Sequence, residues 1–108
     1  MSAGLGSVAP VAEFEVDVPL WQVENGSWVF ASLPFDVADE VDDLTRGRQG
    51  GFGSVRVEVT LGPTTWRTSL FPDRRRETFV LPVKKAVRAA ADVAVGDTVR
   101  VRLRLVDA

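Results

Sequence analysis

The chain has no cysteine, no histidine and no tyrosine. Without cysteine there can be no disulfide, no thiol nucleophile and no thiolate metal site. Without histidine the commonest general base and the commonest metal ligand are both missing. Together these absences exclude more enzyme mechanisms than any motif in the sequence supplies. A basic surplus is missing too: 13 Lys and Arg face 15 Asp and Glu, for a net charge of -2. That balance argues against a general nucleic-acid or anionic-membrane binder. No apolar run approaches the ~20 residues of a membrane-spanning helix. The opening "MSAGLGSVAPVA" lacks the basic and long apolar regions of a secretory signal. The expected location is therefore the cytoplasm.

What remains is an ordinary globular composition, 45% hydrophobic over 108 residues, enough for one domain with one core. Residues 1–12 read as a flexible lead-in and 13–108 as a single domain. "EFEVDV" alternates, with Phe14, Val16 and Val18 on one face and Glu13, Glu15 and Asp17 on the other. Asn25-Gly26 is a favourable hairpin pair. It would set Trp21 opposite Phe30 and Val23 opposite Trp28, with all four on one face. Those residues are out of phase with Val16 and Val18, so a bulge near Pro19 is expected to reset the alternation.

"LPFDVADEVDDLTRG" predicts a helix begun at Pro34, with Val37, Val41 and Leu44 as its apolar stripe and Gly47 as its stop. A second helix is predicted over "PVKKAVRAAADV", with Val83, Val87 and Ala90 inward. Between them, "SVRVEVTL" and "TTWRTSLFP" alternate around Gly62-Pro63, and "TFVL" reads as a short strand. An even-length loop at Gly62-Pro63 pairs Val59 with Trp66, Val57 with Thr68 and Val55 with Leu70 as the core face. Glu58–Arg67 and Arg56–Ser69 then lie on the outer face. An odd-length loop would send Arg67 inward among valines, at prohibitive cost.

The last strand shows Val99, Val101, Leu103 and Leu105 on one face and Arg100, Arg102 and Arg104 on the other. Like charges within each terminal strand repel, so the acidic first strand and the basic last strand belong side by side. Pairing them closes the sheet and removes both edges. The expected fold is mainly β: a small closed, largely antiparallel β-barrel of about six strands with two short peripheral α-helices.

Several segments carry a resemblance as well as a pattern. The Gly-rich stretch ending in Gly53-Ser54, "WRTSLFP", "LPVKKAVR", "VGDTV" and the opening "FEVDVPLW…WVFASLP" together resemble a short bacterial and archaeal β-barrel domain of unknown function. That domain occurs alone or fused to an OmpD-associated bacteriocin-protection-like domain. The resemblance spans nearly the whole chain, apart from the lead-in and "DRRRE". It implies a small closed barrel with peripheral helices, and no activity, substrate or catalytic residue.

Candidate chemistry is sparse. "GRQGGFG" does not match a phosphate-binding loop and runs into a strand rather than a helix, so no nucleotide cofactor or other cofactor is expected from it. "DVADEVDD" lacks the glycine and final glutamate of a calcium loop. Three consecutive arginines in "DRRRE" read as a solvated tip. Arg56, Arg67, Ser69 and Phe71 form an outer band, and Lys84 and Lys85 begin the second helix. Should that helix lie over the band, these six residues would converge on an anion-sized space. The competing structural reading pairs Arg67 with Glu58, has Ser69 bond to backbone and covers Phe71. The leading function is a non-enzymatic binding module for a small anionic ligand or a protein partner. The alternatives are a hydrolase-like enzyme using Ser69 with a lysine, and a nucleic-acid accessory barrel.

Overall fold

The computed structural model describes residues 13–24, 26–47, 49 and 53–106. The lead-in, Asn25 of the first hairpin and Phe52 of the Gly-rich loop lie outside these. Among the described residues there are six strands and two helices. The strands are β1 (Glu13–Gln22), β2 (Val29–Ser32), β3 (Val55–Leu61), β4 (Thr64–Asp73), β5 (Thr78–Pro82) and β6 (Thr98–Leu105). The helices are α1 (Phe35–Thr45) after β2 and α2 (Lys85–Ala91) after β5. The strands close in the order β1-β2-β5-β4-β3-β6, and every pairing is antiparallel. No described helix is long and apolar enough to cross a membrane.

Closure occurs between β1 and β6, where Glu13, Glu15 and Asp17 stand opposite Arg104, Arg102 and Arg100. Asp17 accepts two hydrogen bonds from Arg100, at 2.9 and 3.1 Å. Arg102 approaches Glu15 at 3.8 Å. Arg104, which also stands opposite Glu58 on its other neighbour β3, donates to that residue at 3.0 Å. The core beneath this seam is built from small aliphatics: Val16, Val18, Leu20, Val57, Val59, Val101 and Leu103 are all buried. Each such side chain contributes about 1.5–3 kcal/mol on burial, against ~0–1 kcal/mol for an exposed ion pair. The ion pairs therefore select register, and the core holds the barrel shut.

Gly62-Pro63 is a two-residue turn, since Leu61 pairs with Thr64. The pairs Val59–Trp66, Glu58–Arg67, Val57–Thr68, Arg56–Ser69 and Val55–Leu70 all follow. Gly62 has φ +58, and a Cβ there would stand 3.1 Å from the Cβ of Ala91. Glycine thus serves both the turn and the close approach of α2.

Three expectations are corrected. No bulge resets β1 at Pro19: the alternation runs on through Val16, Val18 and Leu20, all buried. Trp21 still pairs with Phe30, and the Val23 amide bonds the Trp28 carbonyl at 3.2 Å, but this aromatic face is the outer wall. The interior is filled by branched aliphatics in strict alternation, so the row that includes Leu20 turns inward and the tryptophan turns out. In α1, Ala38, Val41 and Thr45 are buried, whereas Leu44 is 46% exposed. Thr45 satisfies its own hydroxyl by donating to the Val41 carbonyl at 2.7 Å, which lets it occupy the inward position. Pro82 ends β5 rather than opening α2, and Val83 and Val87 are buried while Ala90 is exposed. The αL residue Asp92 terminates α2, its amide bonding back to the Ala89 carbonyl.

The two helices serve opposite ends of the barrel. α1 follows Leu33, whose carbonyl accepts from the Thr78 hydroxyl at 2.9 Å, near the β4–β5 turn. α2 lies toward the β3–β4 turn through Ala91. Leu103→Ala, which empties a fully buried site, is expected to cost about 2–5 kcal/mol. Leu44→Ala is expected to change stability by no more than about 0.5 kcal/mol. Urea denaturation of the two variants checks both the core and the corrected face of α1.

Candidate functional site

Outward-facing positions of β1, β2, β4 and β5 create a wall unusually rich in aromatics. Trp21 and Phe30 lie with ring centroids 5.2 Å apart, and Trp28 stacks on Phe30 at 6.0 Å with 14° between planes. Trp21 is held from two directions. Its indole N–H donates to Ser32 Oγ at 2.8 Å, and the guanidinium of Arg76 lies 3.8 Å from its ring centroid. Asp73 fixes Arg76 by an ion pair of 2.9 Å. One arginine of "DRRRE" is therefore a structural clamp on the barrel wall rather than part of a solvated tip.

Two hollows adjoin this wall. The first, ≈350 Å³, is lined by Ser27, Trp28, Val29, Pro82, Val83, Lys84, Lys85 and Arg88. Among the described residues it gathers three cations and no carboxylate. Among the described residues, none of the three cations forms a salt bridge; Arg88 Nε donates to the Val83 carbonyl at 3.2 Å. The second, ≈390 Å³, is an apolar groove formed by Val23, Gly26, Trp28, Phe30, Phe71, Val80 and Pro82. Trp28 and Pro82 belong to both.

The six residues singled out from the sequence are thus divided. Lys84 and Lys85 line the cationic hollow. Phe71 is 43% exposed, with no helix over it, and lines the apolar groove. Arg56, Arg67 and Ser69 occupy the outer face of β3 and β4 and line neither hollow. Arg67 approaches Glu58 at 3.4 Å, as the structural reading anticipates. Among the described residues, no hydrogen bond joins Ser69 to Lys84 or Lys85. The residues that sequence reasoning missed are Trp28 and Arg88. Arg88 was signalled by its i, i+4 spacing from Lys84, and Trp28 by its place beside a hairpin turn, where a large ring has little to bury it.

A third hollow, ≈220 Å³, lies between α1 and the β4–β5 turn and includes Asp39, Asp42, Asp73, Arg74 and Glu77. Among the described residues, no three acidic side chains come together so as to hold a metal ion.

The charged seam of the barrel shapes its titration. Hydrogen bonds from Arg100 hold the Asp17 carboxyl below its ordinary range. Glu58 is lowered first by Arg104 and then by Arg67. At Asp73 partial burial pushes upward, but hydrogen bonds from the Arg76 side chain and from the Arg76 and Arg75 amides bring it down on balance.

The sequence profile of the domain of unknown function DUF1905 matches residues 17–103. The chain belongs to that family. No curated protein matches it.

A carboxylate lowered on folding contributes stability in full above its unfolded pKa and loses it as pH falls through the folded one. Stability is therefore expected to stay level from neutral pH down to about 5, then fall below about 4, where unfolded carboxylates protonate. The Asp17→Asn/Glu58→Gln double variant should flatten this slope. Urea midpoints measured from neutral to strongly acidic pH check the expectation. An unchanged slope in the double variant would show that other groups govern acid unfolding.

Proposed function

We propose that this member of the DUF1905 family is a non-enzymatic binding module for a small anionic ligand, held in the hollow of Lys84, Lys85 and Arg88. One observation carries the reading. Three cations line one concave space with no carboxylate among its described lining residues, whereas the cations of the barrel seam, Arg100, Arg102 and Arg104, all have acidic partners. Gathering like charges without counter-charges is unfavourable, and an incoming anion relieves it. Trp28, Pro82, Val29 and Val83 supply low-polarity walls that strengthen such an interaction relative to bulk water. The hollow falls within the ordinary size range of small-ligand sites, about 300–1,000 Å³.

The hydrolase-like alternative is less well supported. A serine nucleophile needs a base within hydrogen-bond reach, and Ser69 lies on the outer face of β4, outside the hollow that holds Lys84 and Lys85. The protein-partner reading draws on the apolar groove alone and leaves the clustered cations without a role.

Titration of the ¹⁵N-labelled protein with inorganic phosphate, followed by NMR, tests the proposal. Shifts are expected at Lys84, Lys85, Arg88 and the Trp28 indole, weakening as salt is raised. The Lys84→Gln/Lys85→Gln variant should lose most of the response. Shifts confined to Arg56, Arg67 and Ser69, or absent altogether, would remove this site.

A further inference from the structure

The cationic hollow and the aromatic wall meet at one residue, and that junction narrows the ligand. A continuous row of planar groups runs along the outside of the barrel. The Arg76 guanidinium lies over Trp21, Trp21 lies against Phe30, and Phe30 stacks with Trp28. At the Arg76 end the row is anchored by Asp73 and Ser32. At the other end it terminates at Trp28, which is 61% exposed and forms the wall shared by the groove and the cationic hollow.

Trp28 is not an isolated exposed ring: with the exposed Val23 and Phe71 it forms a contiguous apolar patch, the kind of surface that marks an interaction site. The ring is held in orientation by Phe30 and stands beside three cations. We infer that the ligand is a nucleotide: a planar base that continues the stack on Trp28, joined to a phosphate held by Lys84, Lys85 and Arg88. This rests on the anion-binding reading above and adds the ring. The chemistry of the two halves matches their walls, since a heteroaromatic base stacks on an indole and a phosphate is recognised by clustered Lys and Arg. The size of the hollow, with Trp28 as the one aromatic ring among its described lining residues, favours one nucleotide unit over a tracked strand, as does the net charge of -2. The indole and the lysines belong to different elements, the β1–β2 hairpin and the start of α2. They are locked together where the Val83 amide bonds the Val29 carbonyl at 2.9 Å.

The test compares AMP, ribose 5-phosphate and inorganic phosphate by calorimetry and by tryptophan fluorescence on the full chain. AMP is expected to bind at least about tenfold more tightly than ribose 5-phosphate, the increment of one stacked base. Its binding should also quench Trp28. Trp28→Ala should abolish the preference, weakening AMP far more than inorganic phosphate, and Trp28→Phe should retain most of the preference. Because Trp28 is largely exposed, circular dichroism and thermal melting should show both variants folded. Lys84→Gln/Lys85→Gln should weaken AMP and ribose 5-phosphate alike. Equal affinity for the two, or a preference that survives Trp28→Ala, overturns the nucleotide inference and leaves the anion site standing. Binding of none of the three removes the anion reading and this inference with it. A short adenylate strand separates the sources. Affinity rising no more than in proportion to its length supports a free nucleotide, and a steeper rise supports a nucleotide within a strand.

Discussion

Everything in this barrel follows from the antiparallel closure of β1 on β6. A sheet left open between these strands would present two edges, one acidic and one basic, each ready to pair with another chain. Closure joins them and fixes which side of every strand is the interior, because the period-two alternation of a strand propagates through each ladder to its neighbour. Once Val16, Val18 and Leu20 face in beside Val99, Val101 and Leu103, the remaining strands have no freedom of face. The electrostatic contribution to this is selective rather than large. Asp17 with Arg100, and Glu58 shared between Arg104 and Arg67, reject a slipped register that would set like charges together.

Much of this was legible in the sequence because two separate signals agreed. The acidic and basic rows of β1 and β6 indicate their partnership, and an even-length turn at Gly62-Pro63 puts the cross-strand pairs from Val55–Leu70 to Val59–Trp66 on their observed faces. The reading failed where large side chains were ranked above periodicity. Reading Trp21, Val23, Trp28 and Phe30 as the inner face demands a broken strand, although Leu20 already continues the row of Phe14, Val16 and Val18. A six-stranded interior lined by valine and leucine takes the smaller row, and strand continuity is easier to preserve than to interrupt. Leu44 illustrates the same competition in a helix. Thr45, able to bond its own backbone, takes the inward place that hydrophobicity alone would assign to leucine.

The candidate site was only half legible, for a geometric reason. Lys84 and Lys85 were recognisable as cations at the start of a helix, but their neighbours depend on where that helix crosses the barrel. α2 lies toward the β3–β4 turn and leaves the outer face of β4 uncovered, so Arg67 and Ser69 remain a surface pair and a surface hydroxyl. What faces the lysines instead is the β1–β2 hairpin, which lies more than fifty residues away in sequence. A one-dimensional pattern carries no information about that approach. It does carry the i, i+4 relation of Lys84 and Arg88, which would have completed the cationic set.

Not every aromatic on the outside of this protein calls for a functional explanation, and the contrast among its three tryptophans is informative. Trp66 packs against the core. Trp21 is partly buried, hydrogen-bonded through its indole nitrogen and covered by Arg76. Both are accounted for by the stability they confer. Trp28 is not: more than half of its surface is open, and its stacking on Phe30 recovers only part of what burial would provide. The three cations next to it have no acid among the described residues that line their hollow, whereas the seam of the barrel pairs its arginines. In the reading proposed above, one ligand with an anionic and a planar part meets both the exposed ring and the cations that line the same hollow.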